Sequence, residues 1–183
     1  SQAIKDFLSI NPTNKDFLVG LAASGRTPYV VSMIEYAKSI GVKTGCIVNA
    51  KDSELSKIVD YKIEAITNSE VIAGSTRMKA GTAQKLICNM ISTTVMIKLG
   101  HVYKNYMIDL RATNEKLVAR QLNIITSVCD ISIDDAKDEL KEYGSVKLVI
   151  LHNLTKINDK EELERLLNNN HNSISKVLES LKW

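Results

Sequence analysis

Apolar positions along this chain change period several times, and each change marks an element. Asp16-Phe17-Leu18-Val19-Gly20-Leu21-Ala22 is a nearly continuous apolar run. Its length and continuity predict a strand buried on both faces, as in a parallel sheet. It opens into Ala23-Ser24-Gly25-Arg26-Thr27-Pro28, after which Val30, Ile34 and Ala37 recur at helical spacing from Tyr29 to Ile40. Pro28 suits the first helical position, Thr27 its cap, and Gly41 its stop. Lys43 to Asn49 reads as a second strand, and Ser53 to Val59 as a short helix capped by Ser53. Tyr61 to Ile66 alternates, which suits a third strand at an edge or half-exposed. Ahead of these, Ala3 to Ile10 is a short apolar, helix-like segment followed by a turn at Asn11-Pro12-Thr13-Asn14. After them a long helix carries Leu86, Met90 and Val95 and ends near Leu99-Gly100. Strands alternating with helices predict an α/β fold, and right-handed crossovers make its sheet parallel.

From about His101 the pattern changes. Val102 to Arg111 carries apolar residues at Val102, Tyr106, Met107 and Leu110. Thr113 then resembles a cap for a helix from Asn114 to Val128, with Leu117, Ala119, Leu122 and Ile125 on its face. Ser132 caps another helix, which Tyr143-Gly144 ends. Val146 to Leu154 is apolar throughout and suits strand or helix; its neighbours favour a helix packed inside a small bundle. Charged helices follow over Asp159 to Asn168 and Ser173 to Leu181. The expected organisation is therefore a sheet domain over residues 1–100 and a helical segment over 101–183.

Composition narrows the class. With 183 residues, 44% of them hydrophobic and 25% charged, the chain has material for one soluble domain and a small appendage. The net charge of +3 is mild and the lysines are scattered, so no basic, aromatic-studded face for nucleic acid appears. No apolar run reaches the ~18 residues of a membrane span, and the N-terminus lacks the pattern of a secretory signal. Cys46, Cys88 and Cys129 are odd in number and widely spaced, which reads as reduced thiols of a cytoplasmic protein. The first residue is Ser, which suggests a chain that starts inside a longer sequence. His101, His152 and His171 lack the spacing of metal ligands. The carboxylates of residues 134–142 and 161–164 read as solvated helix faces.

The candidate chemistry lies in two loops. Ligands of open parallel sheets bind beyond the carboxyl ends of the strands. Ser24-Gly25-Arg26-Thr27 follows the first strand directly; Ser69 to Lys79, with Gly74-Ser75-Thr76-Arg77, follows the third and runs into the long helix. Helix-start amides are unpaired and favour negative charge. Ser75, Thr76 and those amides suit a phosphate, with Arg77 or Lys79 adding positive charge; an ordinary, well-capped helix start reads equally from the same residues. Glu70 sits at the same rim, either orienting a sugar hydroxyl or an active-site group or serving as a plain loop carboxylate.

Three stretches carry a family resemblance. Glu70 through Lys85, centred on Gly74-Ser75-Thr76-Arg77-Met78-Lys79, resembles the signature shared by bacterial N-acetylmuramic acid 6-phosphate etherases and the glucokinase regulatory protein. Gly20 to Val30 and Asp109 to Leu117 resemble the etherase branch in particular. The resemblance covers essentially the whole chain. It implies a partial sugar-isomerase-type (SIS) parallel sheet flanked by helices, followed by a small C-terminal helical domain. It implies sugar phosphate as ligand, a homodimer, and neither a metal nor a redox cofactor. By the resemblance the catalytic glutamates, and a further phosphate loop, lie upstream of Ser1. Substrate holding is left to Ser24, Gly25, Arg26, Thr27, Glu70, Ser75, Thr76, Arg77 and Lys79. A sugar-phosphate-binding regulator without chemistry is the alternative expectation.

Overall fold

The computed structural model describes residues 1–182. They form two compact units, Ser1–Ile91 and Ser92 onward. The first contains α1 (Gln2–Ser9), β1 (Phe17–Leu21), α2 (Pro28–Ser39), β2 (Lys43–Val48), α3 (Glu54–Ile58) and β3 (Tyr61–Glu64), and the first part of α4 (Lys79–Lys98). The strands pair in parallel in the order β1-β2-β3, with Val19 opposite Gly45 and Gly45 opposite Tyr61. This is the α/β layout the alternation of periods predicts.

One face of the sheet carries the core. A Cβ on Gly20 would lie 2.7 Å from Val30 Cγ1 of α2, and 3.3–3.4 Å from Ile34 and from Leu55 of α3. Glycine lets both helices close onto the strand there. Around it Ala22, Val31, Ile34, Cys46, Val48 and Leu55 are buried together, while Phe7 joins α1 to Ala37 and Val42. The opposite face differs from the expectation. Phe17 is 52% exposed, Tyr61 61% and Leu21 43%. The run Asp16–Ala22 is apolar on both faces, yet only its α2 side is buried; the Phe17 and Tyr61 rings meet each other 5.8 Å apart. Burial of Cys46 pushes its thiol up.

Register at the β2–β3 edge is held by Asp60. Its carboxylate accepts from the Thr44 amide (2.8 Å) and hydroxyl (3.0 Å) and faces Lys38 of α2 at 3.6 Å. The Thr44 contacts hold Asp60 below the ordinary aspartate range.

The second unit adds β4 (Val102–Tyr103), β5 (Tyr106–Met107), α5 (Glu115–Cys129), α6 (Ile133–Tyr143), α7 (Val146–Thr155), α8 (Lys160–Asn169) and α9 (Ile174–Ser180). The apolar stretch after His101 begins as an antiparallel hairpin, with Val102 opposite Met107 and Lys104 at φ +52° in the two-residue turn. Lys-Asn lacks the glycine that usually advertises such a turn, so the sequence hides it. Asn114, not Thr113, caps α5, accepting from the Leu117 amide at 3.0 Å. Ser132, Ser145, Asp159 and Ser173 cap the remaining helices, and Gly144 at φ +80° ends α6. Val146 to Leu154 is helix, as its neighbours favour. It is buried on nearly every side, and Ile125, Val149, Ile150, Leu151, Leu163 and Val177 fill the core around it. A helix that is apolar all round belongs at the centre of a bundle.

Among the described residues no helix is long and apolar enough to cross a membrane.

Candidate functional site

The carboxyl ends of the three strands converge on one pocket of about 300 Å³. Ser24 enters it from the loop after β1, Asn49 from the residue after β2, and Thr67, Asn68 and Ser69 from the segment after β3. Glu70, Ser75 and Thr76 complete the wall ahead of α4. Two loops more than forty positions apart in sequence, Ser24 and Ser75-Thr76, thus share one cavity. That is the position ligands take in open parallel sheets.

Asn49 organises the pocket and was not singled out by sequence reasoning. Its side-chain amide donates to the Ala65 carbonyl (2.8 Å) and its oxygen accepts from Gln84 of α4 (3.0 Å). The end of β2 is thereby tied to the end of β3 and to α4. The available signal was its place, first residue beyond the central strand.

Glu70 is bound by the start of α4. Its two oxygens accept the α4 amides of Lys79 (3.0 Å) and Ala80 (3.1 Å). The Lys79 amide above all, with Ala80, holds the carboxyl below the ordinary glutamate range, against burial that pushes it up. An ionised side chain therefore occupies the helix-start amides expected to face a phosphate, and it satisfies both the unpaired N–H groups and the dipole. The Lys79 ammonium turns away to the Ser69 carbonyl at 2.7 Å. What remains toward the pocket from this loop is the hydroxyls of Ser75 and Thr76, which make no hydrogen bond among the described residues. The Ser75 backbone is held by the Ile72 carbonyl (3.1 Å), and the Thr76 carbonyl accepts from Gly81 (2.8 Å).

In the first loop, the Ser24 hydroxyl accepts from the Arg26 amide at 3.3 Å. Gly25 is buried at φ +62°, and a Cβ there would fall 2.1 Å from Ser53 Oγ. Its carbonyl accepts from the Leu55 amide (2.9 Å). Glycine is thus required by backbone geometry and close approach to α3. Thr27 stands at the N-cap of α2 but its side chain makes no capping bond. Arg26 lines a second cavity, of about 530 Å³, together with Ser24, Lys51 and Lys57. Gly25, Thr27, Arg77 and Lys79 line neither cavity. Of the nine residues expected to hold substrate, the structure gathers Ser24, Glu70, Ser75 and Thr76, places Arg26 next door, and leaves the other four outside.

Elsewhere, Asp109 bridges His101 Nδ1 (2.5 Å) and Lys147 Nζ (3.0 Å). His152 Nδ1 lies 3.0 Å from the Tyr143 hydroxyl and 2.9 Å from the Ile157 carbonyl, a packing arrangement. Burial raises the Cys129 thiol to about 11, so it is not an activated nucleophile. Among the described residues no group of three His, Cys, Asp or Glu side chains could hold a metal ion.

Comparison with known proteins agrees with this geometry. Residues 9–94 match the SIS domain. A Clostridium botulinum protein named N-acetylmuramic acid 6-phosphate etherase is 47% identical over 180 residues, covering 98% of this chain and 60% of its own. Proteins of the same name from Francisella tularensis subsp. holarctica and Pseudothermotoga lettingae are each 48% identical over 168 residues. They cover 91% of this chain and 57% and 56% of their own. The chain thus spans under two thirds of the length of these relatives. Nearly every residue of it aligns with the first of them at close to one identity in two, so the chain is similar over its whole length to part of the N-acetylmuramic acid 6-phosphate etherases and carries a match to the SIS domain.

Proposed function

We propose that this chain is the substrate-holding part of an N-acetylmuramic acid 6-phosphate etherase, a carbon–oxygen lyase that releases D-lactate and N-acetylglucosamine 6-phosphate. The observation that carries the reading is the meeting of Ser24, Asn49, Ser75 and Thr76 in one pocket at the carboxyl edge of the sheet. Their hydroxyl and amide groups suit the hydroxyls of a sugar phosphate.

The chemistry follows from the substrate. Opening the sugar ring exposes an aldehyde at C1, which acidifies the proton on C2. A carboxylate base removes that proton, and an acid protonates the departing lactate oxygen at C3. Water then adds at C3. The acid must keep its proton near neutral pH, so its site must raise its pKa. Glu70 does not meet that need: among the described residues it is the one carboxylate lining the pocket, and its oxygens are held ionised by α4 amides. In this reading the pocket positions the substrate, and the acid and base are supplied from outside it. Binding energy gathered at the far end of the sugar serves to orient C2 and C3.

The chain is further read as cytoplasmic and homodimeric. Support for self-association comes from α4, where Leu86, Met90, Val95 and Met96 are all 46% exposed or more.

The test is calorimetric titration with N-acetylmuramic acid 6-phosphate beside an assay of D-lactate release. Binding by this chain, weakened about tenfold in Ser75→Ala/Thr76→Ala through loss of two hydrogen bonds, supports the reading. Rapid lactate release that survives in Ser75→Ala/Thr76→Ala would count against it.

A further inference from the structure

The cavity beside the pocket carries charge that the pocket itself lacks. Arg26 comes from the loop after β1, Lys51 from the loop after β2 and Lys57 from α3, and all three line a space of about 530 Å³. Ser24 lines this cavity and the sugar-facing pocket alike, so the two are neighbours across one side chain. None of the three cations makes an ion pair or a side-chain hydrogen bond among the described residues. Two carboxylates share the wall. Asp52 lies 3.8 Å from Lys62, a cation outside the cavity, and Glu54 sits in the first turn of α3. Three cations against two carboxylates, one of them already facing Lys62, leave the cavity net positive. The first pocket offers hydroxyls, amides and one ionised carboxylate, which suits uncharged sugar hydroxyls better than a dianion.

We infer that the cavity of Arg26, Lys51 and Lys57 is an anion subsite of the same binding site, reading a charged substituent of the sugar while the Ser24–Thr76 pocket reads its hydroxyls. This rests on the sugar-phosphate reading above. The substrate carries two anionic groups, the 6-phosphate and the lactyl carboxylate, and the shared chemistry is an oxyanion met by guanidinium and ammonium groups. Sequence reasoning did not reach Lys51 and Lys57, because neither lies in a glycine-rich or hydroxyl-bearing motif. They meet Arg26 only because β1 and β2 are adjacent and α3 follows β2 directly.

The experiment is calorimetric titration of the chain and of Lys51→Met/Lys57→Met with three ligands: N-acetylmuramic acid 6-phosphate, N-acetylglucosamine 6-phosphate and N-acetylmuramic acid. Both lysines are exposed, so the variant keeps its core. The expected result is on the order of tenfold weaker binding of the doubly charged ligand, with the loss reduced by added salt and reversed in Lys51→Arg/Lys57→Arg. A loss shared by N-acetylglucosamine 6-phosphate places the phosphate in the cavity; a loss shared by N-acetylmuramic acid places the carboxylate there. Unchanged affinity for all three ligands overturns the subsite and leaves the sugar-phosphate reading intact. No binding of any ligand to the unmodified chain overturns both.

Discussion

The two units of this chain treat their apolar residues in opposite ways. In the second, the apolar faces of α5, α6, α8 and α9 all turn onto α7, and Ile125, Val149, Ile150, Leu151, Leu163 and Val177 have no measurable exposure. In the first, one face of the sheet packs on α2 and α3 while Phe17, Leu21 and Tyr61 remain exposed. Of the thirteen residues of α4 in this unit, Lys79 to Ile91, only Ala80 is buried. The helical unit answers its own hydrophobic pattern. The sheet unit has apolar surface that its own residues leave uncovered, and extended exposed apolar surface marks an interaction face. The candidate site lies in the unit with that surface.

The sharpest way to break this comparison is at the centre of the bundle. Ile150→Ala removes a fully buried side chain from α7 and should destabilise the helical unit by about 2–5 kcal/mol. Denaturant unfolding followed by circular dichroism reads this, and hydrogen exchange assigns the loss to the second unit. A change below about 1 kcal/mol, the range of partly exposed positions, would mean that the core is not packed as described.

A second test concerns Lys147, the one charged residue that is buried in the bundle among the described residues. The Lys147 side chain is only 4% exposed and its ammonium meets Asp109, which is 36% exposed. Removing one partner of a fully buried pair costs about 3–5 kcal/mol. The exposure of Asp109 reduces this to about 1–3 kcal/mol for Asp109→Asn. Burial pushes the Asp109 carboxyl up, and the Lys147 ammonium with His101 more than offsets it, leaving the group below its ordinary value of 3.8. On acidification the unfolded chain therefore takes up this proton before the folded one. The stabilisation is complete above the unfolded value and is lost as pH falls through the folded one. Melting temperatures from pH 7 down to pH 3 should fall less steeply in Asp109→Asn than in the unmodified chain, with the difference opening below about pH 4. Parallel curves would remove Asp109 from the account.

In the sheet unit the corresponding point is a backbone position. Gly25→Ala puts a Cβ at φ +62° and 2.1 Å from Ser53 Oγ. The strain and the clash together should cost about 1–3 kcal/mol. Because Gly25 joins Ser24 to Arg26, the loop should also lose its ligand geometry. Weaker sugar-phosphate binding without weaker folding would sharpen the comparison, showing a loop that yields while its core holds.

These contrasts also show what the sequence could reveal. Periods of two and of about 3.6 depend on neighbours a few residues apart, so the helices and strands stood out, and so did the caps at Ser53 and Ser132. The order of strands and loops also placed Ser24, Ser75 and Thr76 at one rim. What stayed hidden depends on partners distant in sequence. Glu70 gave no sign that it would take the α4 amides for itself. Asn49, Lys51 and Lys57 reach the site only through the pairing of β1 with β2. The apolar run of β1 indicated two buried faces, and here the pattern records what a face requires without saying what meets it.

That distinction makes α4 the subtlest place to test the comparison. Leu86 is 51% exposed and Met90 60%, one helical turn apart on the same side. If that side faces water, Leu86→Ser/Met90→Ser removes few contacts, and the folding stability of the isolated chain should move by less than about 0.5 kcal/mol. If two copies bury that side against each other, the same variant should leave the monomer's fold intact but abolish the concentration dependence of its melting temperature. Sedimentation velocity across a hundredfold range of concentration separates the two. A single species at every concentration for both proteins would leave α4 with no second copy to cover it. Loss of a dimer on substitution would show that the apolar stripe is the part of the sheet unit's core that only another chain completes.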